Sequence, residues 1–155
     1  MNSEATVGTG FAESASRISR GVRRMLAASG CSTIVEMPLP DGRRADIVAI
    51  RSDGSIEIIE IKSSVADFRA DRKWPDYWSS CDRLFFAIDL ATPAELIPME
   101  AGLIIADDFG ARLLRMGEER RLSAARRKAV LLRFAKLAAD RLHQLHDPMW
   151  RAGNS

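Results

Sequence analysis

Apolar residues recur along this chain with two different periods, and the switches between them mark out its elements. Phe11, Ala15, Ile18, Val22, Met25 and Leu26 follow one another at helical spacing, and Gly30 is placed to end that helix. The period then shortens. Residues 32–37 and 44–50 are rich in β-branched side chains and are separated by the turn-forming run 38–42. A third strand is predicted over residues 56–62, after Asp53-Gly54. Residues 65–80 read as mainly helical, with Pro75 best accommodated in the first turn of a new helix. The apolar run 84–88 suits a central strand buried on both faces. Residues 91–100 form a Pro-containing loop, and residues 102–106 and 111–114 form a hairpin around Asp107-Asp108-Phe109-Gly110. Ser123 is an N-cap for a long last helix reaching about Leu145, with Leu131, Phe134, Ala138, Leu142 and Leu145 on one stripe. The resulting order, α-β-β-β-α-β-β-β-α, is an α/β arrangement: a mixed sheet with helices on its faces and a long C-terminal helix.

A length of 155 residues suits a single compact domain. Residues 1–10 are small and polar and read as a flexible tail, residues 11–147 as the domain, and residues 148–155 as a second tail. No apolar run approaches the roughly 18–20 residues of a membrane span, and the N-terminus lacks the basic and apolar regions of a secretory signal. A cytoplasmic location is expected, with no membrane partner. Cys31 and Cys81 lack metal-binding spacing and read as two reduced, half-buried thiols.

Charge is segregated. Residues 11–30 hold four Arg against one Glu, residues 31–110 eight Lys or Arg against fifteen acids, and residues 111–141 ten basic residues against three acids. An acidic middle between basic flanks suits a metal-binding centre served by a phosphate-binding surface; solvated Arg-rich helices would give the same count.

The candidate chemistry lies in the hairpin formed by residues 44–50 and 56–62. Glu60 and Lys62 are two residues apart on one strand and project to the same face. Buried singly, either charge would be costly; paired, or with a metal, both can be accommodated. The turn decides whether Asp46 joins them. A two-residue loop, Asp53-Gly54, puts Asp46 opposite Ile61 and on the other face. A three-residue loop, Ser52-Asp53-Gly54, with Gly54 left-handed, puts Asp46 opposite Glu60 and Val48 opposite Ile58. Two carboxylates so placed repel unless a cation lies between them, and oxygen ligands suit Mg²⁺ or Mn²⁺. Lys62 beside them would orient or activate water, or stabilise charge on a transferring phosphate. A half-buried salt bridge of Asp46 or Glu60 with Lys62 is the structural alternative.

Asp46 followed by Glu60-Ile61-Lys62 resembles the Asp…(Asp/Glu)-x-Lys signature of PD-(D/E)XK nucleases, and the element order over residues 11–90 resembles their common core. More extensively, GRRADIVAI, IEIIEIKSSVADFRADRKWPDYWSSCDRLFFAID, GLIIADDFGARLLR and AARRKAVLLRFAKLAADRL look like the MmcB family of bacterial DNA-repair proteins. The resemblance implies a restriction-endonuclease-like fold, a role in DNA repair, DNA as partner, and association with other repair proteins or as a homodimer.

Further candidates surround this core. Lys73 and Tyr77 resemble the Gln-x-x-x-Tyr element of RecB-like nucleases, with Lys73 replacing the Gln; with Trp74 and Trp78 they also read as packing residues around a solvated lysine. For an additional acidic ligand, Glu13 on the first helix and Glu36 on the first strand compete, and Glu13 is equally explained by an ion pair with Arg17. Arg43 and Arg44 at the mouth of the hairpin, and Arg126, Arg127, Arg133, Lys136 and Arg141 on the last helix, are candidate DNA contacts. Asp67 and Asp71 share a helix face, and His143 and His146 lack a third ligand. Two functions follow: a divalent-metal-dependent nuclease cleaving DNA phosphodiesters, or a non-catalytic DNA-binding or adaptor protein on a nuclease-like scaffold. The same chemistry would serve RNA; the resemblance favours DNA.

Overall fold

A computed structural model describes residues 4–150, with side chains from Glu13 onward. Its elements are α1 (Glu4–Ala28), β1 (Ser32–Pro38), β2 (Arg44–Ile50), β3 (Ile56–Lys62), α2 (Val65–Ala70), a 3-10 helix (Trp74–Ser80), β4 (Arg83–Ile88), a 3-10 turn (Ala94–Leu96), β5 (Gly102–Ala106), β6 (Ala111–Arg115) and α3 (Ala124–His146). The six strands lie in sequence order in one sheet. β3, β4 and β5 are parallel, and the outer pairs are antiparallel. Parallel neighbours need a crossover, which α2 and the 3-10 helix supply between β3 and β4.

The sheet carries a core on each face. Ile18, Val22 and Leu26 of α1 pack on Ile47, Ile59, Phe85 and Ile104. On the other face Ile58, Leu84, Phe86 and Leu103 lie beneath α2, the 3-10 helix and α3. The Phe86 ring meets Phe68 and Trp74 edge-on at 5.5 and 5.7 Å. β4 is buried nearly throughout, as its unbroken apolar run requires. Gly21 sits inside α1 because a Cβ there would come within 2.6 Å of the Gly110 carbonyl oxygen, at the β5–β6 turn.

At the far end of the hairpin from the candidate site, α3 is tied to the sheet by one buried acid. Asp82 accepts the N–H groups of Ile56 and Leu122 at 2.7 and 2.9 Å and both terminal nitrogens of Arg127 at 2.6 Å. Burial opposes ionisation of Asp82, but these donors outweigh it and hold its pKa at about 2. Ser123 caps α3, its hydroxyl accepting the Arg126 N–H.

Some boundaries differ from the periodicity. α1 begins at Glu4, so residues 4–10 of the expected tail are helical; residues 1–3 and 151–155, also assigned to tails, lie outside the described residues. Trp150 folds back onto His143, ring centroids 4.3 Å apart. The second segment of 65–80 begins at Trp74-Pro75 as expected but winds as a 3-10 helix. Both cysteines are free and buried. No described helix is long and apolar enough to cross a membrane.

Candidate active site

The geometry of the site starts at the β2–β3 turn. The Arg51 N–H donates to the Ser55 carbonyl at 3.0 Å and the Gly54 N–H to the Arg51 carbonyl at 2.9 Å. Gly54 takes φ +84°, and Asp53 accepts from both the Ser55 N–H and hydroxyl. This is the three-residue loop Ser52-Asp53-Gly54, and it sets the register Ile50↔Ile56 through Val48↔Ile58 to Ile47↔Ile59.

One step further the ladder would pair Asp46 with Glu60, and there side chains replace it. The Asp46 N–H donates to Glu60 Oε1 at 3.0 Å, and the Ile61 N–H donates to Asp46 Oδ2 at 2.8 Å. On the other side of β2, Val35 pairs with Ile47 and Met37 with Ala45, so Glu36 falls in the same row as Asp46 and Glu60. Both strands slip in phase at this row. Ile34 and Val48 pack on the α3 face and Val35 and Ile47 on the α1 face, yet Met37 and Ala45 return to the α3 face. Glu36 absorbs the slip with φ 50°, a left-handed conformation costing an ordinary residue about 1–3 kcal/mol. Arg141 of α3 braces it, donating to the carbonyls of Val35 at 2.5 Å and Glu36 at 3.1 Å.

Beyond this row lies a cavity of about 790 Å³. Its floor is Glu36, Asp46, Glu60 and Lys62; α1 supplies one wall through Ser16, Ser19, Arg20 and Arg23; Asp67, Asp71 and Tyr77 supply another, and Arg44 stands at the rim. Lys62 is buried, and its Nζ donates to Asp71 Oδ2 at 2.9 Å. Glu60 is 3% exposed. Its burial, reinforced by the neighbouring Asp46 charge, pushes its pKa up to about 9. Tyr77 is likewise raised, by burial and then by Glu60.

These residues fit a hard divalent cation. Glu60 Oε1 and Asp46 Oδ2 each accept one backbone N–H, and beyond burial the Asp46 charge raises the Glu60 pKa, a repulsion that a cation between the two carboxyl groups would relieve. Among the described residues no three acidic, His or Cys side chains converge on one point. The protein would therefore supply two carboxylates and leave the remaining positions to water and substrate oxygens, as Mg²⁺ accepts.

The structure thus gathers Asp46, Glu60 and Lys62, with Glu36 beside them. Glu13 is engaged elsewhere: it pairs with Arg17 at 3.1 Å and does not line the cavity. Arg43 is 5.2 Å from the Tyr77 ring centroid and 3.5 Å from Asp76, and the Tyr77 hydroxyl donates to the Arg44 carbonyl at 3.4 Å. Lys73 is exposed and outside the cavity; on a 3-10 helix four residues are not one turn, so it does not share a face with Tyr77. Arg127, read as a phosphate contact, is instead committed to Asp82. Arg126, one residue before it, lies at the same end of the hairpin, away from the carboxylates. The basic wall is Arg20 and Arg23, from the basic flank 11–30 but not singled out in the sequence; with Ser16 and Ser19 they follow i, i+3, i+4, i+7 spacing along α1. Asp71, a member of the acidic pair noted on that helix, meets Lys62 instead of solvent.

Comparison with known proteins places this geometry in context. Residues 2–149 match the family described as DNA repair protein MmcB-like. No curated protein matches the chain. Among solved structures, SPO1766, a protein of unknown function from Silicibacter pomeroyi, is 44% identical over 92% of this chain and 97% of its own, with a TM-score of 0.87. A repair endonuclease from Pyrococcus abyssi aligns at 16% identity over 62% of this chain and 41% of its own, with a TM-score of 0.35, a likeness too low to bear on fold or activity.

Proposed function

This chain belongs to the MmcB-like family of DNA repair proteins, and from that premise we propose that it is a Mg²⁺- or Mn²⁺-dependent nuclease of the PD-(D/E)XK type, hydrolysing DNA phosphodiester bonds. One observation carries the reading: Asp46 and Glu60 interlock where β2 and β3 part, with Lys62 on the floor of the same cavity. A metal held there supplies a Lewis acid that acidifies water and neutralises charge developing on the phosphate. Asp46 and Glu60 would hold it, with Glu36 beside them in the same row of the sheet. Lys62, fixed by Asp71, holds the attacking water or the phosphate oxygen it meets. Arg20, Arg23 and Arg44 take the phosphates on either side, a backbone grip that follows the strand without reading its bases.

The experiment is cleavage of single-stranded, duplex, flap and junction DNA in Mg²⁺ and Mn²⁺, beside Asp46→Ala and Lys62→Ala. Both substitutions are expected to abolish cutting while leaving DNA binding. Activity indifferent to both would remove the site assignment. A second reading, a non-catalytic DNA-binding or adaptor protein, draws on the lack of a converging three-ligand cluster among the described residues. It predicts salt-dependent DNA binding with no substrate cut by the wild-type chain.

A further inference from the structure

We propose that α3 pairs antiparallel with α3 of a second copy of this chain, forming a homodimer; this stands independently of the nuclease reading. α3 spans 23 residues, yet Val130 is its one buried side chain. The side toward the sheet is satisfied by Val130, Phe134 and Leu137, packed against the core. The opposite side is also apolar. Leu132, Ala135, Ala139 and Leu142 follow at alternating three- and four-residue steps. That 3.5-residue period is the seam of a helix pair. Leu132 and Leu142 are 58 and 54% exposed, and Leu145 beside them 78%. Ala135 and Ala139, in the middle, let two helix axes approach to roughly 8 Å.

Charge selects the partner and its direction. Every charged residue of 124–136 is basic, whereas the acids of α3 and its cap, Asp140 and Asp147, lie in the second half. Arg141 in that half is spent on the Val35 and Glu36 carbonyls. A parallel pair would lay the two basic first halves side by side. An antiparallel pair sets Arg133 and Lys136 near Asp140 of the other copy, twice per dimer, and aligns opposed helix dipoles. The same arrangement layers Leu132 on Leu142 and Ala135 on Ala139 across the twofold axis.

Light scattering after size exclusion of the full chain, loaded up to ~0.1 mM, reads the mass directly. Two chains of 17.1 kDa are expected. Leu142→Arg, at an exposed position, should weaken association by about 100-fold or more while leaving the melting curve of the monomer intact. Lys136→Asp should weaken it less, and adding Asp140→Lys should restore it. A wild-type chain that stays monomeric throughout, or a dimer indifferent to Leu142→Arg, overturns the proposal. Failure of the double charge reversal to restore association overturns the antiparallel direction.

Discussion

Asp46 and Glu60 complete each other's strand: the Asp46 N–H is held by the Glu60 carboxylate at 3.0 Å, while the Asp46 carboxylate holds the N–H next to Glu60 at 2.8 Å. The strands can therefore part without orphaning those backbone donors, and a cavity opens where a ladder would otherwise continue. The arrangement also forces two carboxylates together, with consequences that can be measured.

The first concerns pH. Glu60 has a folded pKa of about 9 against an ordinary 4.5, so the folded chain holds a proton that the unfolded chain has released. Its contribution is fully present below about 4.5 and is lost as pH rises toward about 9. In chelator, the melting temperature should fall across that window, and Glu60→Gln should flatten the fall. Adding Mg²⁺ at the alkaline end should raise the melting temperature of the wild type and leave Glu60→Gln unchanged. A wild-type profile as flat as that of the variant would contradict the assigned shift.

Lys62 is aimed by Asp71, which accepts its Nζ proton at 2.9 Å. Asp71→Asn keeps the shape and weakens the hold on the ammonium. Cleavage rate should drop by roughly 10–100-fold with DNA affinity nearly unchanged, short of the ~10²–10³-fold loss expected for Lys62→Met. Comparing single-turnover rates with binding isotherms separates the two. Equal losses in both quantities would make Asp71 a structural residue only.

The basic wall predicts where the strand runs. Arg20→Ala and Arg23→Ala should each lower the slope of log affinity against log salt by about one phosphate contact, whereas Arg126→Ala should leave it unchanged. A fluorescence titration at several salt concentrations measures this. The reverse pattern would move DNA to the opposite end of the hairpin.

Arg127→Met should leave the Asp82 carboxylate buried without its guanidinium, a loss of about 3–5 kcal/mol by urea titration. The Asp82 pKa is lowered from 3.8 to about 2, so its contribution is present above 3.8 and disappears as pH falls through 2. Near-wild-type stability in Arg127→Met, together with weakened DNA binding, would return Arg127 to the phosphate-contacting surface.

The sequence by itself determined what neighbours along the chain decide. Asp53-Gly54 and the alternation on either side specified the hairpin, though they left two loop lengths open; the apolar run 84–88 marked a central strand, and Ser123 marked the start of α3. Each rests on interactions within one turn or one hairpin. Only the tertiary structure chose the three-residue loop, because burial of Ile47 and Ile59 under α1 and of Val48 and Ile58 on the other face admits a single register. It also decided the partners of the long side chains. Arg141 reaches Glu36 across 105 residues and Arg127 reaches Asp82 across 45, while Arg23 lines the cavity because α1 packs on the sheet through Ile18 and Val22. A guanidinium can serve many acceptors, and packing selects which of them lies within reach.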